Sequence, residues 1–169
     1  LTYRLQLGTN FRLGKNSSSD GYYSIARNLG LPVASVANAV NNFKSYQSIL
    51  TYEKLFNTAH RFTATLINEF QNSRREASGA GVSDLPFESS RYHNLGSANT
   101  VSSVSSDLRE TSLLSYAGRL FYSYKSKYIL QATVRADAAS QLAPGNKWGY
   151  FPSASFAWTV TQEDFMKST

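Results

Sequence analysis

Residues 113–160 read LLSYAGRLFYSYKSKYILQATVRADAASQLAPGNKWGYFPSASFAWTV, and the fold is decided there. From Leu114 the even-numbered residues are Leu114, Tyr116, Gly118, Leu120, Tyr122 and Tyr124, whereas the odd-numbered ones are Ser115, Ala117, Arg119, Phe121 and Ser123. Alternation with period two marks a strand with two unlike faces. After the polar break Lys125-Ser126-Lys127 the pattern resumes, with Tyr128, Leu130, Ala132, Val134 and Ala136 opposing Ile129, Gln131, Thr133, Arg135 and Asp137. A turn at Pro144-Gly145-Asn146 leads to a third strand, in which Tyr150, Ala154, Phe156, Trp158 and Val160 oppose Phe151, Ser153, Ser155, Ala157 and Thr159. One face is greasy and the other largely polar, so a long antiparallel sheet is predicted.

The same reading extends towards the N-terminus. Residues 1–7 place Leu1, Tyr3, Leu5 and Leu7 opposite Thr2, Arg4 and Gln6. Residues 43–54 and 61–71 alternate in the same way, with a short connection centred on Asn57-Thr58, which predicts a second hairpin. Residues 9–42 lack a sustained period and contain Asn16-Ser17-Ser18-Ser19-Asp20-Gly21 and the break Gly30-Leu31-Pro32, so they are expected to form a long loop. Within them, residues 33–40 fit either a short strand or a helical turn. A second long polar excursion is expected over 72–111, and residues 161–166 read as a helical turn capped by Thr161.

Long and short connections therefore alternate, an asymmetry found in outer-membrane barrels. Strands of about 11 residues suit a membrane crossing at a tilt near 45°. Tyr46, Tyr52, Tyr122, Tyr124, Tyr128 and Trp158 stand at strand ends, where interfacial girdles form. The expected fold is all-β: an antiparallel up-and-down transmembrane β-barrel segment of about six strands. The alternative is a soluble or surface-attached β-sandwich binding carbohydrate, whose greasy face meets a second sheet.

Composition narrows the chemistry. Among the 169 residues, 11 Tyr and 10 Phe dominate the aromatics, which favours strands and interfaces. The absence of cysteine removes disulfides, thiol catalysis and thiolate metal sites. His60 and His93 lie far apart without ligand-like spacing, so neither metal nor cofactor is implied. No run approaches the roughly 20 apolar residues of a spanning helix, a criterion that leaves barrels open. The net charge of +6 is scattered, with only Arg74-Arg75 adjacent, and a nucleic-acid partner is not expected. The chain begins at Leu1, already in a strand pattern, which suggests a piece of a longer protein with no signal peptide to be sought here.

Catalysis finds no support. Asp84 and Glu88 lie in a proline-containing loop without the fixed separation a carboxylate pair needs. The serine runs near His93 lack a nucleophile elbow, and Gly79-Ala80-Gly81 lacks the Gly-Lys-Ser/Thr of a phosphate cradle. No enzyme is expected.

The strings SYAGRLFYSY at 115–124, KYILQATVRAD at 127–137, LAPGNKWGYFPSASFAW at 142–158 and EDFM at 163–166 closely resemble the SusC/RagA family of TonB-dependent outer-membrane transporters. Where that family usually has a small polar pair after its arginine-x-aspartate, this chain has Ala138-Ala139-Ser140. The resemblance implies that residues 1–169 are part of a β-barrel domain of about 22 strands, with the N-terminal plug not included. It also implies import of oligosaccharides or peptides across the bacterial outer membrane, with a SusD-like lid lipoprotein, the TonB complex and outer-membrane lipid as partners.

Arg135 and Asp137 are two apart and so share a face, on which Arg119 also lies. Charges are costly against lipid, so this face is expected to be lumen or rim, with the three residues in a structural network. Trp148 and Tyr150 are the candidates for stacking on a sugar ring, although an interfacial girdle or loop packing is the preferred reading.

Overall fold

A computed structural model describes residues 1–166. Six strands form one sheet in sequence order: β1 (Thr2–Asp20), β2 (Val33–Phe56), β3 (His60–Ser83), β4 (Thr100–Tyr124), β5 (Tyr128–Ala139) and β6 (Trp148–Trp158). Single helical turns of the tighter 3₁₀ kind occur at Glu88–Ser90, Leu95–Ser97, Val160–Gln162 and Asp164–Met166. The chain divides into two compact units, one of residues 1–8, 44–72 and 111 onward, the other of residues 9–43 and 73–110.

In the first unit the register of β4, β5 and β6 fixes which residues share a face. Tyr116 pairs with Ala136 and Leu120 with Ala132, while β5 sets Ala136 beside Tyr150 and Leu130 beside Phe156. Even-numbered residues thus line one face across all three strands, as the alternation predicts. That face is open: Leu120, Leu130, Val134 and Phe156 are 51–66% exposed. Among the described residues no second sheet covers it, so the sandwich alternative is not the architecture found. The opposite face carries the buried polar residues Ser115 and Ser123.

Both short connections are tight turns with two consecutive residues in the left-handed region, Asn57 (φ 47°) with Thr58 (φ 53°), and Lys125 (φ 50°) with Ser126 (φ 56°). Positive φ at both central positions matches the right-handed twist of the flanking strands. The two turns touch, the Lys125 amide donating to the Ala59 carbonyl at 2.6 Å. At the β5–β6 connection the Asn146 amide donates to the Ala143 carbonyl at 3.0 Å, with Gly145 at φ 89°. A proline followed by a glycine at positive φ is the type II turn, which confirms the predicted Pro144-Gly145-Asn146 break.

The second unit corrects the sequence reading. Most of what was expected as loop over 9–42 and 72–111 is strand, and residues 33–40 resolve as the beginning of β2. Only residues 21–32 and 84–99 are connections. The reason is that a ladder is held by backbone hydrogen bonds; apolar alternation appears only where one face needs covering. Here the side chains are small: the Ser18 and Ser35 hydroxyls meet at 2.8 Å, and Gly79 lies beside Ser105 and Ala37. A small core of Ala34, Val82 and Leu85, flanked by Tyr92, Leu95 and Ala98, closes the unit. The residues 21–32 connection is pinned by Glu88, whose carboxylate accepts the Tyr22 amide at 2.6 Å.

A last difference concerns residues 161–166. They form two short 3₁₀ turns instead of one capped helical turn, and the first is preceded by Thr159 without a side-chain cap. Three residues per turn is too short a run for Thr161 to stand outside as a cap.

Candidate functional site

Three side-chain arrangements in the first unit carry its chemistry. On the odd-numbered face the Arg135 guanidinium donates from Nε to both Asp137 oxygens, at 2.8 and 2.9 Å, and from Nη2 to the Ser115 hydroxyl at 3.2 Å. Glu69 of β3 stands 3.8 Å from Arg135 and accepts from Gln71 at 2.7 Å. A planar guanidinium satisfied on several sides is a rigid charged strut between neighbouring strands. Arg119 shares this face and lies apart from the cluster, donating to Gln131 at 2.6 Å. Arg135 and Asp137 are therefore joined as their spacing suggests, whereas Arg119 has its own partner.

On the even-numbered face aromatic rings form rows. Tyr124 stacks on Tyr128 with centroids 6.3 Å apart, and Tyr128 on Trp158 at 6.4 Å; His60 packs 4.6 Å from Tyr124 and shares a 2.7 Å hydrogen bond with the Tyr122 hydroxyl. These rings come from β3, β4, β5 and β6, and they align because the register sets Tyr124 opposite Tyr128 and Tyr128 opposite Trp158. A second stack joins Tyr116 to Trp148 at 6.2 Å. Trp148 and Tyr150 thus stand on the apolar face, opposite the charged cluster, and Tyr150 is 69% exposed.

The third arrangement was not foreseen. Glu163 accepts hydrogen bonds from the Tyr128 hydroxyl (2.6 Å), the Lys127 ammonium (3.0 Å) and the Trp158 indole (3.1 Å). The bonds from Tyr128, Lys127 and Trp158 hold the Glu163 carboxyl down at about 2, against an ordinary 4.5. Its hydrogen bond to Glu163 raises Lys127 above its ordinary 10.5. An acidic residue five positions past Trp158 is the only trace of this clasp in the sequence. The Glu69 contact likewise depends on how β3 and β4 are aligned, which no local pattern encodes.

Among the described residues no group of three or more His, Cys, Asp or Glu is arranged to hold a metal ion. No described helix is long and apolar enough to cross a membrane.

No protein-family model matches the chain. Among curated proteins it is similar to TonB-dependent receptor P3 of Formosa agariphila, 35% identical over 123 residues, which cover 73% of this chain and 12% of that protein. Receptor P39 of the same organism is 27% identical over 170 residues, covering 99% of this chain and 16% of its own length. TonB-dependent receptor SusC of Bacteroides thetaiotaomicron is 42% identical over 55 residues, 32% of this chain and 6% of SusC. Among solved structures, the RagAB peptide transporter superposes with a TM-score of 0.89 at 18% identity, covering 99% of this chain and 19% of that one. The RagAB importer in its "open-open" state gives 0.80 at 19% identity, over 96% and 18%.

The chain is a segment of a SusC-like TonB-dependent receptor. It spans only 12% and 16% of the receptors P3 and P39. The six strands accordingly form an open antiparallel sheet with the fold of the matched part of the RagAB transporter chain. The strings quoted for the SusC/RagA resemblance lie on β4, β5 and β6 and the turns between and after them.

Proposed function

We propose that this chain is wall from the barrel domain of an outer-membrane nutrient importer, with the plug outside residues 1–169. The observation that carries this reading is the opposition of its two faces. The even-numbered face from Leu114 to Trp158 bears no charged residue and is bounded by stacked aromatics, while Arg119, Arg135 and Asp137 share the other face. From Tyr116 to Tyr124 is about 27 Å along a strand. A tilt of about 35–45° reduces this to about 19–22 Å, close to the apolar band of a transmembrane barrel. The apolar face is then the lipid surface, and the charged face the lumen.

The relatives support the import reading, since they are named TonB-dependent receptors and the structural neighbour is a peptide transporter. The substrate is proposed to be an oligosaccharide or peptide, admitted under a SusD-like lid lipoprotein and drawn through by the TonB complex. Trp148 and Tyr150 then serve as interfacial anchors, because a ring on the lipid side does not meet cargo in the lumen.

Nitroxide labels at Leu120, Leu130 and Val134 of the full-length receptor in lipid vesicles test the orientation. Relaxation by oxygen dissolved in the bilayer is the expected result. Protection from oxygen at all three positions would overturn it.

A further inference from the structure

The apolar face is not flat. A recess of about 440 Å³ opens on it, lined by Leu50, Leu66, Asn68, Tyr116, Gly118 and Val134. Gly118 makes its floor, in the interior of β4, where glycine weakens a strand and often marks the close approach of a ligand or another backbone. No backbone demand accounts for it. A Cβ built on Gly118 would meet only the Leu66 side chain, at an ordinary 3.7 Å, and its φ is not in the left-handed region. The effect of the missing side chain is the recess itself.

Asn68 is the second peculiarity. Its side chain lines this apolar recess, and among the described residues its amide makes no hydrogen bond. Its polar neighbour Ser48 gives its hydroxyl proton to the Tyr3 hydroxyl at 3.3 Å, so it has no proton left for the Asn68 amide oxygen. An amide facing hydrocarbon without a partner is costly. The site therefore combines an uncharged apolar recess with one unsatisfied amide, and Tyr116, which lines it, is also a member of the Tyr116–Trp148 stack.

We infer that this recess is a fixed binding site for one acyl chain of a membrane lipid, with Asn68 hydrogen-bonding a polar group on that chain, such as a hydroxyl or an ester carbonyl. The inference rests on the lipid-facing orientation proposed above. An acyl chain fits better than an aromatic knob from a neighbouring protein, because the lining has no charge or paired donor to fix a protein surface and its volume lies in the range of small-molecule sites. The lipid headgroup would lie towards the Tyr116–Trp148 row, where interfacial aromatics meet polar headgroups.

The test uses the full-length receptor reconstituted in phosphatidylethanolamine vesicles, extracted in mild detergent and weighed intact by native mass spectrometry. The probes are two phosphatidylethanolamines, one with plain myristoyl chains and one with 3-hydroxymyristoyl chains. The wild type is expected to retain one lipid and to prefer the hydroxylated chain. Gly118→Leu, which fills the recess, should lower retention at least fivefold; Gly118→Ala should fold as the wild type and lower it less. Asn68→Leu should keep binding and lose the preference for the hydroxylated chain. Retention unchanged in folded Gly118→Leu would overturn the site, as would a second barrel found in place of lipid. Quenching of Trp158 by brominated lipid, measured in parallel, separates the two claims: quenching with unchanged retention rejects the recess alone, whereas no quenching rejects the orientation together with it.

Discussion

The Glu163 carboxylate accepts the Tyr128 hydroxyl at 2.6 Å, tying the chain after β6 back to the first residue of β5. Lys127 and Trp158 close on the same carboxylate, so one acid collects a turn, a strand start and a strand end.

This clasp predicts a defined response to acid. Glu163 is held at about 2, below its ordinary 4.5, so its folded form binds a proton less readily than the unfolded chain. The stabilisation is then complete above about pH 4.5 and is lost as pH falls towards 2. Lys127, whose own value is raised, stays cationic throughout that window, as the charge of nearby Asp164 also favours. Urea unfolding of the full-length receptor in detergent should show the wild type losing stability between pH 5 and pH 2.5 relative to Glu163→Gln. Parallel pH profiles for the two proteins would remove Glu163 from the account.

Arg135 predicts an asymmetry between its partners. Arg135→Met leaves both Asp137 and Glu69 without the cation they share, whereas Asp137→Asn keeps a hydrogen-bonding group beside an arginine that Glu69 still attracts. Removing the shared partner should cost about 2 kcal/mol, discounted for partial exposure, and the aspartate change about 1 kcal/mol or less. The double variant should cost less than the two added, which a double-mutant cycle by denaturant unfolding measures.

The turns offer a gain. Lys125 and Ser126 both occupy positive φ, which costs a residue bearing a Cβ, and the Asn-Gly pair suits those angles. Replacing Lys125-Ser126 by Asn-Gly should raise stability by about 0.5–1 kcal/mol, seen as slower unfolding of the receptor in detergent. The same exchange at Asn57-Thr58, where only Thr58→Gly is needed, should give a smaller gain.

What could be read beforehand was whatever repeats locally. The alternation through Tyr116, Leu120 and Val134 reveals strand and face together, because every second residue of a strand points to the same side and here those residues are apolar. The same logic hid residues 9–20, 33–42, 72–83 and 100–111 of β1 to β4. Around Ser35, Gly79 and Ser103 the side chains are small and the apolar core is confined to Ala34, Val82 and Leu85, so the ladder leaves no sustained apolar period behind. The site was legible in proportion to its locality. Arg135 and Asp137 are two residues apart and their pairing could be read, whereas Glu69 reaches Arg135 across strands 66 residues away in sequence and Trp148 finds Tyr116 through the register of β4, β5 and β6.

Parity supplies the sharpest test of the whole arrangement, because neighbouring residues on one strand are assigned to opposite environments. Ala132 pairs with Leu120 and Ala154 on the apolar face, and Thr133 pairs with Arg119 and Ser153 on the charged face. An arginine at position 132 would have to reach through hydrocarbon, at a cost of about 2–4 kcal/mol near the bilayer midplane. At position 133 it would extend into a polar interior beside Arg119 and cost about 1 kcal/mol or less. Folding of full-length Ala132→Arg and Thr133→Arg receptors into phosphatidylcholine vesicles, followed by the shift in electrophoretic mobility on heating, measures both. Equal penalties, or the larger one at Thr133, would mean that the two faces have been assigned to the wrong sides of the wall.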